Sequence, residues 1–109
     1  MLTPSKSNTR VTLINVFTVE PQNQQRLIDL LTEATEVSVR DAPGFISARL
    51  HRSLDGTKVT MYAEWSSAAA YEAMRSNPTP LPYLKQALAI AKFEPGMYHV
   101  VGTFCPRTR

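Results

Sequence analysis

The chain has 109 residues, 43% apolar and 19% charged, with a formal net charge of +3. That length is one domain's worth, and the composition is globular and not that of a disordered chain. The basic excess forms no run of like charge and no stripe interleaved with aromatics, which argues against nucleic acid as a partner, and no apolar stretch approaches the ~20 residues of a membrane span.

Cys105 is the single cysteine, so no intrachain disulfide forms and no metal-binding cysteine pattern exists. The first residues lack the apolar core of a secretory signal, and the expected location is the cytoplasm. Residues 1–8 are polar and read as a flexible arm, 9–105 as the folded domain, and 106–109 as a basic tail.

In chain order, residues 10–19 are rich in β-branched types and predict a strand. Pro21 suits the first turn of a helix, because its fixed φ is helical and it has no N–H to lose. Leu27, Leu30, Leu31, Ala34 and Val37 then make one apolar stripe, predicting a helix over 21–42 that Pro43 and Gly44 end. Strands are expected over 45–53 and 58–65, joined by the hairpin signal Asp55-Gly56. Ser66 suits the cap of a short helix carrying Ala68, Ala69, Tyr71 and Met74. Pro78, Pro80 and Pro82 break it, a third helix follows over 84–91, and a last strand over 97–104.

The order β-α-β-β-α-(α)-β predicts an α+β, ferredoxin-like domain: a four-stranded antiparallel sheet with helices on one face. A half-exposed sheet alternates apolar with polar residues. Here strand one carries Val11, Leu13, Phe17 and Val19 on one face and Ile14 and Val16 on the other. The last strand sets Val101 against Tyr98, Val100 and Phe104. Two apolar faces predict a second copy of the sheet as cover, that is, a homodimer.

The run from Asp41 through Pro43, Gly44 and Phe45 to His51, then Asp55-Gly56-Thr57, Tyr62 to Trp65, and Tyr71 resembles the antibiotic-biosynthesis monooxygenase family over roughly Val11 to Phe104. The resemblance implies a dimeric α/β barrel with a pocket between sheet and helices in each subunit. Its polyketide-type branch implies a cofactor-independent monooxygenase that oxidises a phenolic, anthrone-like or quinol aromatic with O2, using neither metal nor flavin. The same fold also hosts non-redox cyclases and isomerases, and non-catalytic dimeric proteins that bind small ligands.

By that resemblance Trp65 flanks the pocket, Tyr71 binds substrate through its hydroxyl, and His51 matches a family histidine suited to proton transfer. Lys85 falls where the branch has an arginine, keeping the charge without the planar fork. Met61 stands where the oxygenase pattern has an asparagine, and methionine donates no hydrogen bond. That departure leaves three readings: a different substrate, a polar group relocated to Asn15 on strand one, or no oxygenase activity. Haem degradation, another activity of the superfamily, needs an axial histidine that 81–91 lacks.

The hairpin decides which of these residues share a pocket. A two-residue loop at Asp55-Gly56 sets Leu50 opposite Met61 and turns His51 away from Trp65, into the dimer face. A three-residue loop with Gly56 left-handed sets His51 opposite Val59 and lines up His51, Met61 and Trp65. We expect the second register, which gathers the family-matching residues on one face.

Overall fold

A computed structural model of the chain describes residues 9–107. The expected arm at 1–8 and the end of the tail, 108–109, lie outside the described residues. β1 (Val11–Val19) leads through a 3-10 turn (Pro21–Asn23) into α1 (Gln24–Ser38), followed by β2 (Phe45–Arg52) and β3 (Lys58–Trp65). Two helices, α2 (Ala68–Arg75) and α3 (Leu81–Ile90), precede β4 (Ala91–Glu94) and β5 (Met97–Tyr98). The antiparallel strands lie in the order β2-β3-β1-β4, and β5 continues beside β1 where β4 stops. Five strands thus fill the four positions of the expected ferredoxin-like sheet, with the helices packed on one face.

Leu27, Leu30, Leu31 and Ala34 are the buried stripe of α1. The helix stops at Ser38, short of the expected 42. Its last turn is Thr35-Glu36-Val37-Ser38, poor in helix formers. The hydroxyls of Thr35 and Ser38 bond back to the carbonyls of Leu31 and Ala34 at 2.8 and 2.6 Å, and such bonds compete with regular helix. Ser67, not Ser66, caps α2, its Oγ accepting from the Ala70 N–H at 3.1 Å.

α3 begins three residues before its expected start at 84, because Pro82 sits in the first turn, where a missing N–H is tolerated. The strand expected over 97–104 is split and shortened. Ala91–Glu94 pairs with β1, Pro95 interrupts the ladder because it has no N–H to give, and pairing resumes only at Met97–Tyr98. Tyr98 lies opposite Thr12, so residues beyond it run past the start of β1. Val101 (98% exposed) and Phe104 (93% exposed) are therefore bare.

The β2–β3 loop has four residues, 54–57, closed by the Ser53 N–H on the Lys58 carbonyl at 3.0 Å. Gly56 is left-handed as expected, at φ 83°. Its Cβ-free backbone fits there at no steric cost. The Asp55 carboxylate accepts from the Thr57 N–H (3.0 Å), the Thr57 hydroxyl (2.7 Å) and the Ser53 hydroxyl (2.9 Å). Hydrogen bonds from Thr57 and then Ser53 hold its pKa down at about 2, although the group is exposed. An even loop gives the register of the two-residue alternative: Leu50 faces Met61 and His51 faces Thr60, not Val59. A bulge at Ile46 then brings Phe45, instead of Ile46, opposite Trp65.

Gln24 ties the start of α1 to this loop. Its buried amide donates to the carbonyls of Lys58 (3.0 Å) and Ser53 (3.2 Å). Replacing it removes two hydrogen bonds while the Lys58 and Ser53 carbonyls keep the backbone N–H groups of Ser53 and Gly56, so Gln24→Ala lowers unfolding free energy by about 1 kcal/mol in chemical denaturation, whereas exposed Gln22→Ala leaves it unchanged. Asp55 has a depressed folded pKa, so its stabilisation is complete above its ordinary value of 3.8 and is lost as pH falls toward about 2. The melting-temperature gap between wild type and Asp55→Asn therefore narrows over that interval, and a gap constant with pH counts against this role.

Candidate functional site

The helix face of the sheet is set by direct opposition, since cross-strand partners share a face. β1 and β3 place Val11 with Trp65, Leu13 with Ala63, Asn15 with Met61 and Phe17 with Val59. β2 adds Phe45, Ala48 and Leu50 beside Trp65, Ala63 and Met61. The apolar residues form two clusters and not one. Phe17, Val19 and Val59 pack with α1 and α3, while Val11, Leu13, Ala63 and Trp65 pack with α2 and the α1–β2 turn. The row Leu50–Met61–Asn15 crosses the boundary, Leu50 joining the first cluster and Met61 the second. Asn15 is a half-buried amide in an otherwise apolar row, and no hydrogen bond among the described residues engages its side chain.

Trp65 is 1% exposed and held between two rings. Phe45 meets it at 5.4 Å between centroids and Tyr71 at 5.8 Å, both edge to face, the arrangement the ring quadrupoles favour. Tyr71 is half-buried on α2 and packs on the second cluster with Ala70 and Met74. Burial raises its pKa above the ordinary 10, with Arg75 opposing the rise and Glu72 adding to it. Tyr71 is thus protonated at neutral pH, and its hydroxyl is a donor and not a base. The Arg75 guanidinium lies 5.9 Å from the centre of the same ring. Sequence reasoning passed over Phe45 and Arg75. Arg75 stands four residues after Tyr71, the spacing at which helical side chains meet.

Trp65, Tyr71, Met61 and Asn15 are therefore gathered on or above the helix face. His51 is not. It faces Thr60 on the other side of the sheet, exposed, with Nδ1 3.4 Å from the Thr60 carbonyl. The register correction removes it from the Trp65 pocket of its own subunit. Lys85 lies on the exposed side of α3, whose inward residues Tyr83, Leu84 and Ala87 pack on the first cluster. No residue of α3 packs on the Trp65 cluster.

A groove of about 600 Å³ opens between the end of α1 and α2, lined among others by Val37, Asp41, Ala42, Gly44, Ala70 and Met74. None of the expected site residues lines it, but Ala70 and Met74 also pack around Trp65. α2 is thus a wall with the groove on one side and the aromatic site on the other. Trp65 and Tyr71 meet edge to face at one end of the sheet, while Asn15 and Met61 face each other four residues further along the same face. Among the described residues, no three or more His, Cys, Asp and Glu side chains converge to hold a metal ion.

Known proteins agree with this architecture. A family model described as antibiotic biosynthesis monooxygenase matches residues 10–86. The tetracenomycin-F1 monooxygenase of Streptomyces glaucescens is 38% identical over 104 residues, covering 95% of this chain and 93% of that one. A monooxygenase of Streptomyces coelicolor, solved with the ligand nanaomycin D, superposes with a TM-score of 0.78 at 26% identity, covering 92% of this chain and 95% of that one. A cofactor-independent oxygenase of Streptomyces nogalater shares the fold at a TM-score of 0.78 and 24% identity, over 87% and 96% of the two chains. By sequence match along most of its length and by fold, the chain belongs to the antibiotic biosynthesis monooxygenase family.

Proposed function

We propose that the protein is a cofactor-independent monooxygenase acting on a phenolic, anthrone-like or quinol aromatic with O2. The observation that carries this reading is the pairing of Asn15 with Met61. The donor missing at Met61 has a substitute directly across the ladder, on the same face and in the same row. An amide donor there would serve a non-redox cyclase or isomerase as well, and oxygenation is favoured by the family match and by the 38% identity to a monooxygenase.

The chemistry balances without a bound cofactor. An anthrone methylene loses a proton to give a carbanion conjugated with a phenolate. One electron passes to O2, and the resulting radical and superoxide combine into a peroxide. Loss of water then leaves a carbonyl, so that CH2 and O2 become C=O and H2O. In this reading the Asn15 amide and the Tyr71 hydroxyl donate to the developing oxyanions, Met61 packs on the ring system, Trp65 backs Tyr71 from the core, and the apolar walls exclude water.

Oxygen uptake with a panel of anthrones and naphthoquinols tests it. Wild type consumes O2 in step with quinone formation. Asn15→Ala lowers kcat/KM by about 10²-fold, as loss of one oxyanion donor does, and Tyr71→Phe by about tenfold, as loss of one hydrogen bond does. Absence of uptake across the panel ends the oxygenase reading.

We propose further that two copies pair through the outer sheet face. That face carries Ile14, Val16, Thr60, Tyr62 and His51, and beside it the stretch beyond Tyr98 leaves Val100, Val101 and Phe104 uncovered. Val101 and Phe104 are almost fully exposed and Val100 is 60% exposed, and Ile14, Val16 and Tyr62 on the outer face are half-exposed, apolar surface that a second copy would cover. Sedimentation at micromolar concentration gives twice the 12.2 kDa chain mass, and the paired substitution Val101→Asp with Phe104→Asp shifts the equilibrium toward monomer. A wild-type chain that sediments as a monomer refutes the pairing.

A further inference from the structure

We propose that the N-terminal arm, residues 1–8, docks in the groove between the end of α1 and α2 of its own chain, with Lys6 paired to Asp41 and Leu2 on the apolar wall. Where the arm joins the fold is set by two hydrogen bonds that meet on Ser66. The Thr9 hydroxyl donates to the Ser66 carbonyl at 2.8 Å, and the Ser66 N–H donates to the Gly44 carbonyl at 2.7 Å. Ser66 and Gly44 both line the groove. The arm therefore leaves the fold at the mouth of that cavity.

The lengths match. Lys6 stands three residues before Thr9 and Asp41 three residues before Gly44, so each lies within about 10 Å of the same junction. The arm's eight residues reach about 26 Å when extended, against about 12 Å for the eight residues of α2. The arm is thus long enough to run the whole groove. The C-terminal tail is placed differently. It leaves the sheet on the other side of β1 from β3, where His99 bonds the Arg10 carbonyl at 3.1 Å.

The chemistry matches as well. The groove has an apolar wall that includes Val37, Ala73 and Met74, and Val37 is 38% exposed. Two carboxylates line it, Glu36 and Asp41. Arg40 holds Glu36 at 3.2 Å, whereas among the described residues no cation pairs with Asp41. The arm carries the complement: Lys6 is its single charged side chain, and Leu2 is apolar. A segment already tethered beside its site meets it at a millimolar effective concentration, so one exposed ion pair and one apolar contact decide its occupancy. Seated there, the arm covers the groove side of α2, and the helix is held from both sides, by the Trp65 cluster and by the arm.

The test uses the full chain with Cys105→Ser and a nitroxide attached at Ser5→Cys, read through the backbone amide NMR signals of isotopically enriched protein. The label broadens the signals of Gly44, Ala70 and Ala73 and spares that of Ala87 on α3. Lys6→Glu abolishes this broadening, and Lys6→Glu combined with Asp41→Lys restores it. In native hydrogen exchange of the unlabelled chain, Lys6→Glu speeds exchange along α2 about threefold, as loss of an exposed ion pair does, and leaves β1 and β3 unchanged. Asp41 is exposed, and the dispersion of the amide spectrum confirms that each variant is folded. Unbroadened groove signals overturn the proposal, as does broadening that survives Lys6→Glu. Broadening that appears when label and isotope are carried by different molecules also overturns it, because the occupant is then the arm of a second copy. None of these readings requires O2 uptake, so the proposal and the oxygenase reading fail separately.

Discussion

The Asp55 carboxylate gathers three donors within two residues on either side, and that small network sets the register of everything on the helix face. Ser53 and Thr57 are held to it, and Lys58 N–H bonds the Ser53 hydroxyl at 2.8 Å, so the loop closes at Ser53 and Lys58 with four residues between. Gln24 locks the same corner from α1. Because strand side chains alternate, a loop one residue shorter or longer would exchange the two faces of β2. Leu50 would then leave the row beside Met61 and His51 would enter it. The chemistry of the interior face thus rests on a polar corner at the far end of the hairpin.

Given that register, the division of the core into two clusters follows from where the helices lie. α1 and α3 cover the end of the sheet near Val19 and Val59, whereas α2 covers the end near Val11 and Trp65. The row between the two clusters is Leu50, Met61 and Asn15, with Leu50 packed on the first cluster and Met61 on the second. Methionine is unbranched and adapts to whatever lies against it. The Asn15 amide beside it is only half-buried, and among the described residues no buried side-chain polar atom lacks a partner, so the amide keeps access to water.

How much of this was legible in the sequence depended on whether a local signal existed. β1 was legible from its β-branched run, the α1 stripe from its 3.6-residue period, and Gly56 from its need for positive φ. Trp65 and Tyr71 were singled out through the family resemblance, and the structure brings them into contact. The hairpin register was not legible, because Asp55-Gly56 is compatible with loops of different length and only the side-chain bonds of Asp55 choose among them. β4 was missed because Ala91 and Lys92 continue a helical composition, while its strand character comes from pairing with Val16 to Val19, a long-range contact. The last strand was overextended for the converse reason. Val100, Val101 and Phe104 have strand propensity, but β1 has ended and offers them nothing to pair with. Propensity of that kind expresses itself only where a neighbour exists.

α2 carries both Tyr71 and Arg75, yet none of its residues is fully buried. Its attachment is a few side chains, Ala70, Tyr71 and Met74, together with one close backbone approach at Gly44. Gly44 has φ 87°, and a Cβ there would stand 2.5 Å from that of Ala70. Glycine is therefore required twice over, once by the turn and once by the packing of the helix onto it. With so little buried surface, α2 opens at lower cost than α1 or the central strands. Contacts at Trp65 and Gly44 thus fix where Tyr71 stands, although none of the residues of α2 is fully buried.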